Sequence, residues 1–167
     1  SMKLFLAVLP LFLLMRCAGG VTVSINNQAV YDPNDRLGGG QVASANLQGC
    51  INFAMEQQEL ASMADVTVLA CPDSGIVDLG SIGLLSRVRF LDLANNAIQN
   101  ATPLENLSNL SGVNLDNNVL RDVAVFINMT TLTSLSVLGN NNIPCEQLAL
   151  LRERLGDNLV APESCRN

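Results

Sequence analysis

Val88-Arg-Phe-Leu91-Asp-Leu93-Ala-Asn-Asn96 is followed by Leu110-Ser-Gly-Val113-Asn-Leu115-Asp-Asn-Asn118 and then by Leu132-Thr-Ser-Leu135-Ser-Val137-Leu-Gly-Asn140. All three fit one frame, L-x-x-L-x-L-x-x-N, with every matched position displaced by 22 residues. The second half of the unit keeps the same spacing, in Ile76, Ile98 and Leu120 and again in Leu79, Ala101 and Val123. Ile82, Leu104 and Phe126 repeat it, as do Leu85, Leu107 and Met129. A weaker first copy supplies Val66, Leu69, Cys71 and Ser74. The chain is therefore periodic from Val66 to about Ile143.

Self-similarity at this period is the mark of a leucine-rich repeat. Alternating residues such as Leu91 and Leu93 put two side chains on one face of a short strand. The frame's asparagine can reach the backbone groups of the turn that follows, and stacked copies would form a buried ladder. The other apolar residues line the return path, so each coil hides its inner face only against its neighbours. The fold expected is an α/β solenoid, a short right-handed superhelix with a parallel sheet on its concave side. A two-layer domain is excluded because 22 residues cannot hold a strand, a full crossover helix and two loops.

The 167 residues are 49% hydrophobic and 14% charged, enough for one domain with a solid core. The formal charge is -6, and losing Lys3 and Arg16 with a leader would make it -8. Nucleic acid is thus a poor partner, because binding it needs a basic face. Histidine and tryptophan are absent. Without histidine the chain lacks the commonest general base and a common zinc ligand.

Residues 1–20 read as an export leader. Lys3 precedes the apolar run Leu4 to Met15, which is shorter than the roughly 20 residues that span a bilayer. Its end is open between two readings. Leu14-Met15-Arg16-Cys17 is similar to a bacterial lipoprotein box, making Cys17 a lipidation candidate, although Arg16 stands where that pattern has a small residue. Ordinary cleavage after Ala18-Gly19-Gly20 fits as well. Setting Cys17 aside leaves four cysteines, an even set suited to an oxidising compartment. Cys71 in the first coil and Cys145 beyond the fourth strand should stand about 14 Å apart, three strand spacings. Disulfides need Cα atoms within about 7 Å. The expected pairs are therefore Cys50–Cys71 and Cys145–Cys165.

Between leader and repeats, residues 21–45 form a hairpin and linker: Val21 to Asn26 alternates like a strand and can pair with Ala29 to Tyr31. Gly38 to Gly40 marks a joint. Asn46 to Met63 is predicted as a helix with Leu47, Cys50, Ile51 and Ala54 on one face. It would cap the first coil within the domain 46–167, whose parts are a cap at 46–65, repeats at 66–143 and a second cap at 144–167. In that second cap Pro144 suits a first helical turn, Leu148, Leu151 and Leu155 make an apolar stripe, and Gly156 ends the helix. Leu159-Val160 would add a last strand-like contact.

Taken together, these residues resemble the internalin-like class of bacterial leucine-rich repeat proteins with 22-residue coils. The likeness runs from Asn46 to Cys165 and includes the Val66 to Cys71 first strand and the Ile143-Pro144-Cys145 exit. Small exported or lipoprotein forms are more similar than the large internalins. The resemblance implies fold and location; partners in the family are diverse.

The residues projecting between the buried strand positions would face the concave side. Candidate partner-binding residues are Phe90, Asp92, Asn114, Asp116, Ser136 and Leu138. Phe90 is the one aromatic there, and an exposed aromatic can anchor an interface. Asp92, Asn114 and Asp116 form an acidic-polar patch for a cationic or hydroxyl-rich partner. No pocket, base or EF-hand spacing points to catalysis, a metal or a cofactor. Asn100, Asn106, Asn109 and Asn128 each begin an N-glycosylation triplet, meaningful only in a eukaryotic host. The function expected is an exported, non-catalytic module that recognises a protein partner, in the periplasm, at the outer membrane or outside the cell. Membrane contact would come only through Cys17. A structural envelope lipoprotein and a carbohydrate-binding module are the alternatives.

Overall fold

The computed structural model describes residues 23–25, 28–31 and 44–165. The leader, Cys17 and Gly38 to Gly40 lie outside the described residues. Within them run β1 (Val23–Ile25), β2 (Gln28–Tyr31), α1 (Ala45–Gln57), β3 (Val68–Ala70), β4 (Phe90–Asp92), β5 (Gly112–Asn114), β6 (Ser134–Ser136), α2 (Cys145–Leu155) and β7 (Leu159–Val160). The first two strands pair antiparallel as a hairpin. The other five form one parallel sheet in chain order.

The register of that sheet is the sequence period made visible. Leu69 stands opposite Leu91, Leu91 opposite Val113, and Val113 opposite Leu135. All four are buried, and one continuous apolar core runs through the stack. Each return path is too short for an α-helix and tightens into a 3-10 turn, at Ile82–Leu84, Thr102–Asn106 and Ala124–Phe126. A carboxylate or amide opens each path. Asp78, Asn100 and Asp122 accept from the backbone N–H two residues on, at 2.8, 3.0 and 2.7 Å. Asn100, the first of the glycosylation triplets, is thereby engaged.

Two asparagine ladders bind coil to coil. In the inner one, the Nδ2 of Asn118 donates to the carbonyls of Leu93, Leu115 and Asp116, while its Oδ1 accepts from the Ile98 N–H at 3.0 Å. Asn96 and Asn140 repeat this pattern one coil before and one coil after. Each such side chain removes several backbone groups from the list of unmet donors and acceptors inside the turn. The outer ladder occupies the preceding position. Asp73, Asn95, Asn117 and Gly139 all have positive φ, of 52, 57, 52 and 80°. Aspartate, asparagine and glycine tolerate that left-handed conformation best. Asn117 donates to Asn95 at 2.9 Å, and Asn95 to Asp73 at 3.4 Å. At Gly139 a Cβ would fall 2.3 Å from Oδ1 of Asn117, so the ladder ends on the one residue that leaves room.

The helices differ from expectation in their bounds. The helix predicted over Asn46 to Met63 ends at Gln57, and Met63 belongs to a separate 3-10 turn, Met63–Asp65. The N–H of Leu60 reaches back to the carbonyl of Met55 at 2.9 Å, and Glu59 takes φ 54°. This is a Schellman stop with glutamate where glycine is usual, so no glycine marked it. Pro144 is the N-cap of α2 rather than part of its first turn. Disulfides join Cys50 to Cys71 and Cys145 to Cys165, with Cα separations of 5.9 and 5.3 Å.

Candidate functional site

Parallel strands with a two-residue side-chain period turn every second residue out of the stack. Across β3 to β6 this gives one row of Val68, Phe90, Gly112 and Ser134, and a second of Ala70, Asp92, Asn114 and Ser136, which β7 extends with Val160. The two rows border an open depression of about 390 Å³. Three apolar side chains stand proud in it: Val68, Phe90 and Val160 are 48, 46 and 38% exposed.

The Phe90 ring owes its attitude to the next strand. A Cβ at Gly112 would lie 2.9 Å from Cδ1 of Phe90 and 3.0 Å from Oγ of Ser134. Glycine therefore lets the ring settle across the sheet. On its other flank the Arg89 guanidinium carbon is 5.8 Å from the ring centroid, within cation–π range.

The polar members are half committed. Oδ1 of Asp92 accepts from the N–H of Ala94 at 3.1 Å, and Oδ1 of Asn114 from that of Asp116 at 3.0 Å. The second carboxylate oxygen of Asp92 and the Nδ2 of Asn114 have no hydrogen-bond partner among the described residues. Asp116 is bound differently. Its Oδ1 accepts from Oγ of Ser136 at 2.6 Å and from the N–H of Leu138 at 2.8 Å, holding one coil to the next.

Of the six candidate residues, the structure brings Phe90, Asp92, Asn114 and Ser136 together in the depression. Asp116 and Leu138 are half-buried and do not line it. Sequence reasoning passed over Asn158 and Val160, which complete the far wall. The signal was the Leu159-Val160 strand, whose outward residue continues the second row in register with Ser136. Among the described residues no group of three His, Cys, Asp or Glu side chains is placed to hold a metal.

The sequence matches no protein-family model and no curated protein. Its backbone does have counterparts among solved structures. An internalin, InlF, from Listeria monocytogenes matches with a TM-score of 0.58 at 23% identity over 70% of this chain. Internalin C2 from the same organism matches with a TM-score of 0.58 at 21% identity over 72%. The fold is an internalin-like leucine-rich repeat. This chain spans only 37% of the first internalin's structure and 54% of the second's.

Proposed function

We propose that this chain is a non-catalytic recognition module that binds a protein partner through the depression on its parallel sheet. The carrying observation is the exposure of Val68 and Phe90 on adjoining strands, and of Val160 across the same depression, on a sheet whose other face is fully packed. Such a cluster, rimmed by polar groups, is the usual make-up of a protein interface rather than of a reaction chamber. The internalin-like fold supports the same reading. In it α1 and α2 act as caps on a right-handed solenoid. Leu47 and Ile51 on one helix, and Leu148 and Leu151 on the other, are buried against the terminal coils. Right-handed crossovers are the near-universal choice between parallel strands.

Two disulfides support a reading in which the chain works in an oxidising compartment, outside the reducing cytosol. Acylation at Cys17 would then tether the module to a membrane; intact mass of the native protein reads it directly.

The test is site-specific crosslinking in the native host. A benzophenone amino acid replacing Phe90 or Val160 should yield one shared crosslinked product. The same group at the exposed return-path residue Val77 should not. Equal products from all three positions, or none from the first two, would remove the concave face from consideration.

A further inference from the structure

The depression is asymmetric in charge. Among the described residues, Asp92 is the only charged one lining it. Asp116 and Asp73 follow beyond the strand ends on the same side, whereas Arg89 sits at the opposite end, against the Phe90 ring. Among the described residues, the carboxylates of Asp92, Asp116 and Asp73 thus stand on the side where the strands finish. The apolar surface lies directly beside them, since Phe90 and Asp92 are two residues apart on β4 and project to the same face.

We infer that the partner segment carries an apolar side chain next to a lysine or arginine. This deepens the proposed function and rests on it. The apolar group lies on the Phe90 ring beside Val68, one strand away, and the cation meets the uncommitted oxygen of Asp92. The unpartnered Nδ2 of Asn114, one strand over, supplies a donor for a carbonyl of the same segment. A second copy of the chain would bring the same carboxylates and a like net charge of -6, which opposes self-docking. A saccharide would find a lining richer in Val, Leu and Phe carbon than in hydroxyl partners.

Gly112 acts here as a positioning residue. Because the atoms nearest a Cβ at 112 belong to the side chains of Phe90 and Ser134 rather than to backbone, Gly112→Ala should tilt the ring while leaving the fold intact. Asp92→Asn keeps the Oδ1 acceptor for Ala94 and exchanges the uncommitted anionic oxygen for a neutral amide NH2.

The experiment pans a phage-displayed random peptide library on the full, disulfide-bonded chain. Enriched peptides should place Lys or Arg beside Leu, Ile, Met or Phe. Binding of a synthetic representative should weaken about 30-fold in Phe90→Ala and about fivefold in Asp92→Asn. Gly112→Ala should also weaken it about fivefold, with an unchanged thermal midpoint. Salt raised from about 0.05 to about 0.5 M should weaken the parent severalfold and Asp92→Asn hardly at all. Acidic or uncharged consensus peptides, or affinity indifferent to Asp92→Asn, would overturn the inference. So would binding found only to glycans, or only to a second copy by sedimentation. A native partner crosslinked at position 90 but lacking a basic-apolar segment would sink this inference alone and leave the proposed function standing.

Discussion

The two ends of the repeat array meet the same difficulty in different ways. At the first, α1 lies against β3, the edge strand, and the Gln58 amide donates to the Val68 carbonyl at 3.3 Å. Asn46 does the same for the Gly75 carbonyl at 2.7 Å. The sheet stops there. At the far end α2 stands where another return path would run. Its Gln147 accepts from the Val123 N–H at 2.8 Å, and its Arg154 guanidinium donates to the carbonyls of Phe126, Met129 and Leu132. The chain then comes back as β7, parallel to β6. One end covers an edge with side chains; the other adds a strand. Both satisfy backbone groups that would otherwise invite pairing with another chain. Only the second also enlarges the sheet, out to Val160.

Five measurements would break or sharpen that contrast. Ile51 and Leu151 are both fully buried, so truncating either to alanine should cost about 3–4 kcal/mol in urea unfolding. Similar losses in single sharp transitions would show both ends coupled to one cooperative array. A broadened transition in one variant alone would locate the weaker joint.

Removing either disulfide by paired Cys→Ala changes should cost about 3 kcal/mol, since the sequence separations are 21 and 20. Their reduction should nonetheless be ordered. Cys71 is 1% exposed, whereas Cys145 is open to solvent. Alkylation and mass analysis should find Cys145 and Cys165 modified first, because exchange needs access to sulfur. Simultaneous modification would erase this distinction between the ends.

Arg154→Ala strips three carbonyls of a charged donor and should cost about 2 kcal/mol, against about 1 kcal/mol for Gln58→Ala. Thermal melts compare them directly, and a larger loss at Gln58 would reverse the roles assigned to the two ends. The smallest effect has the opposite sign. Glu59→Gly relieves a left-handed φ of 54° and should stabilise by about 0.5 kcal/mol.

The repeat was legible because burial enforces it. Leu69, Leu91, Val113 and Leu135 face one core, so each copy needs an apolar residue at the same place. The inner asparagines were legible for the same reason, since no other side chain gives and accepts so many backbone bonds in that turn. The outer ladder was harder to read because left-handed backbone tolerates Asp, Asn or Gly, which blurs its signature at residues 73, 95, 117 and 139. The end of α1 was hidden by Glu59, a residue with no turn preference. The lining of the depression was read only in part, for another reason. Val160 follows a helix and falls outside the 22-residue count, and Asp116 is spent on Ser136 and Leu138, a contact made between coils.

The ladder that halts at Gly139 says where this molecule can change size. Every interior turn offers its successor the same hooks, so a duplicated stretch of 22 residues placed among the middle coils would find its bonds waiting. Placed after Gly139, it would meet no outward amide to grip. Growth by whole coils is therefore open in the interior and closed at the tail, and each added coil would widen the sheet by one strand.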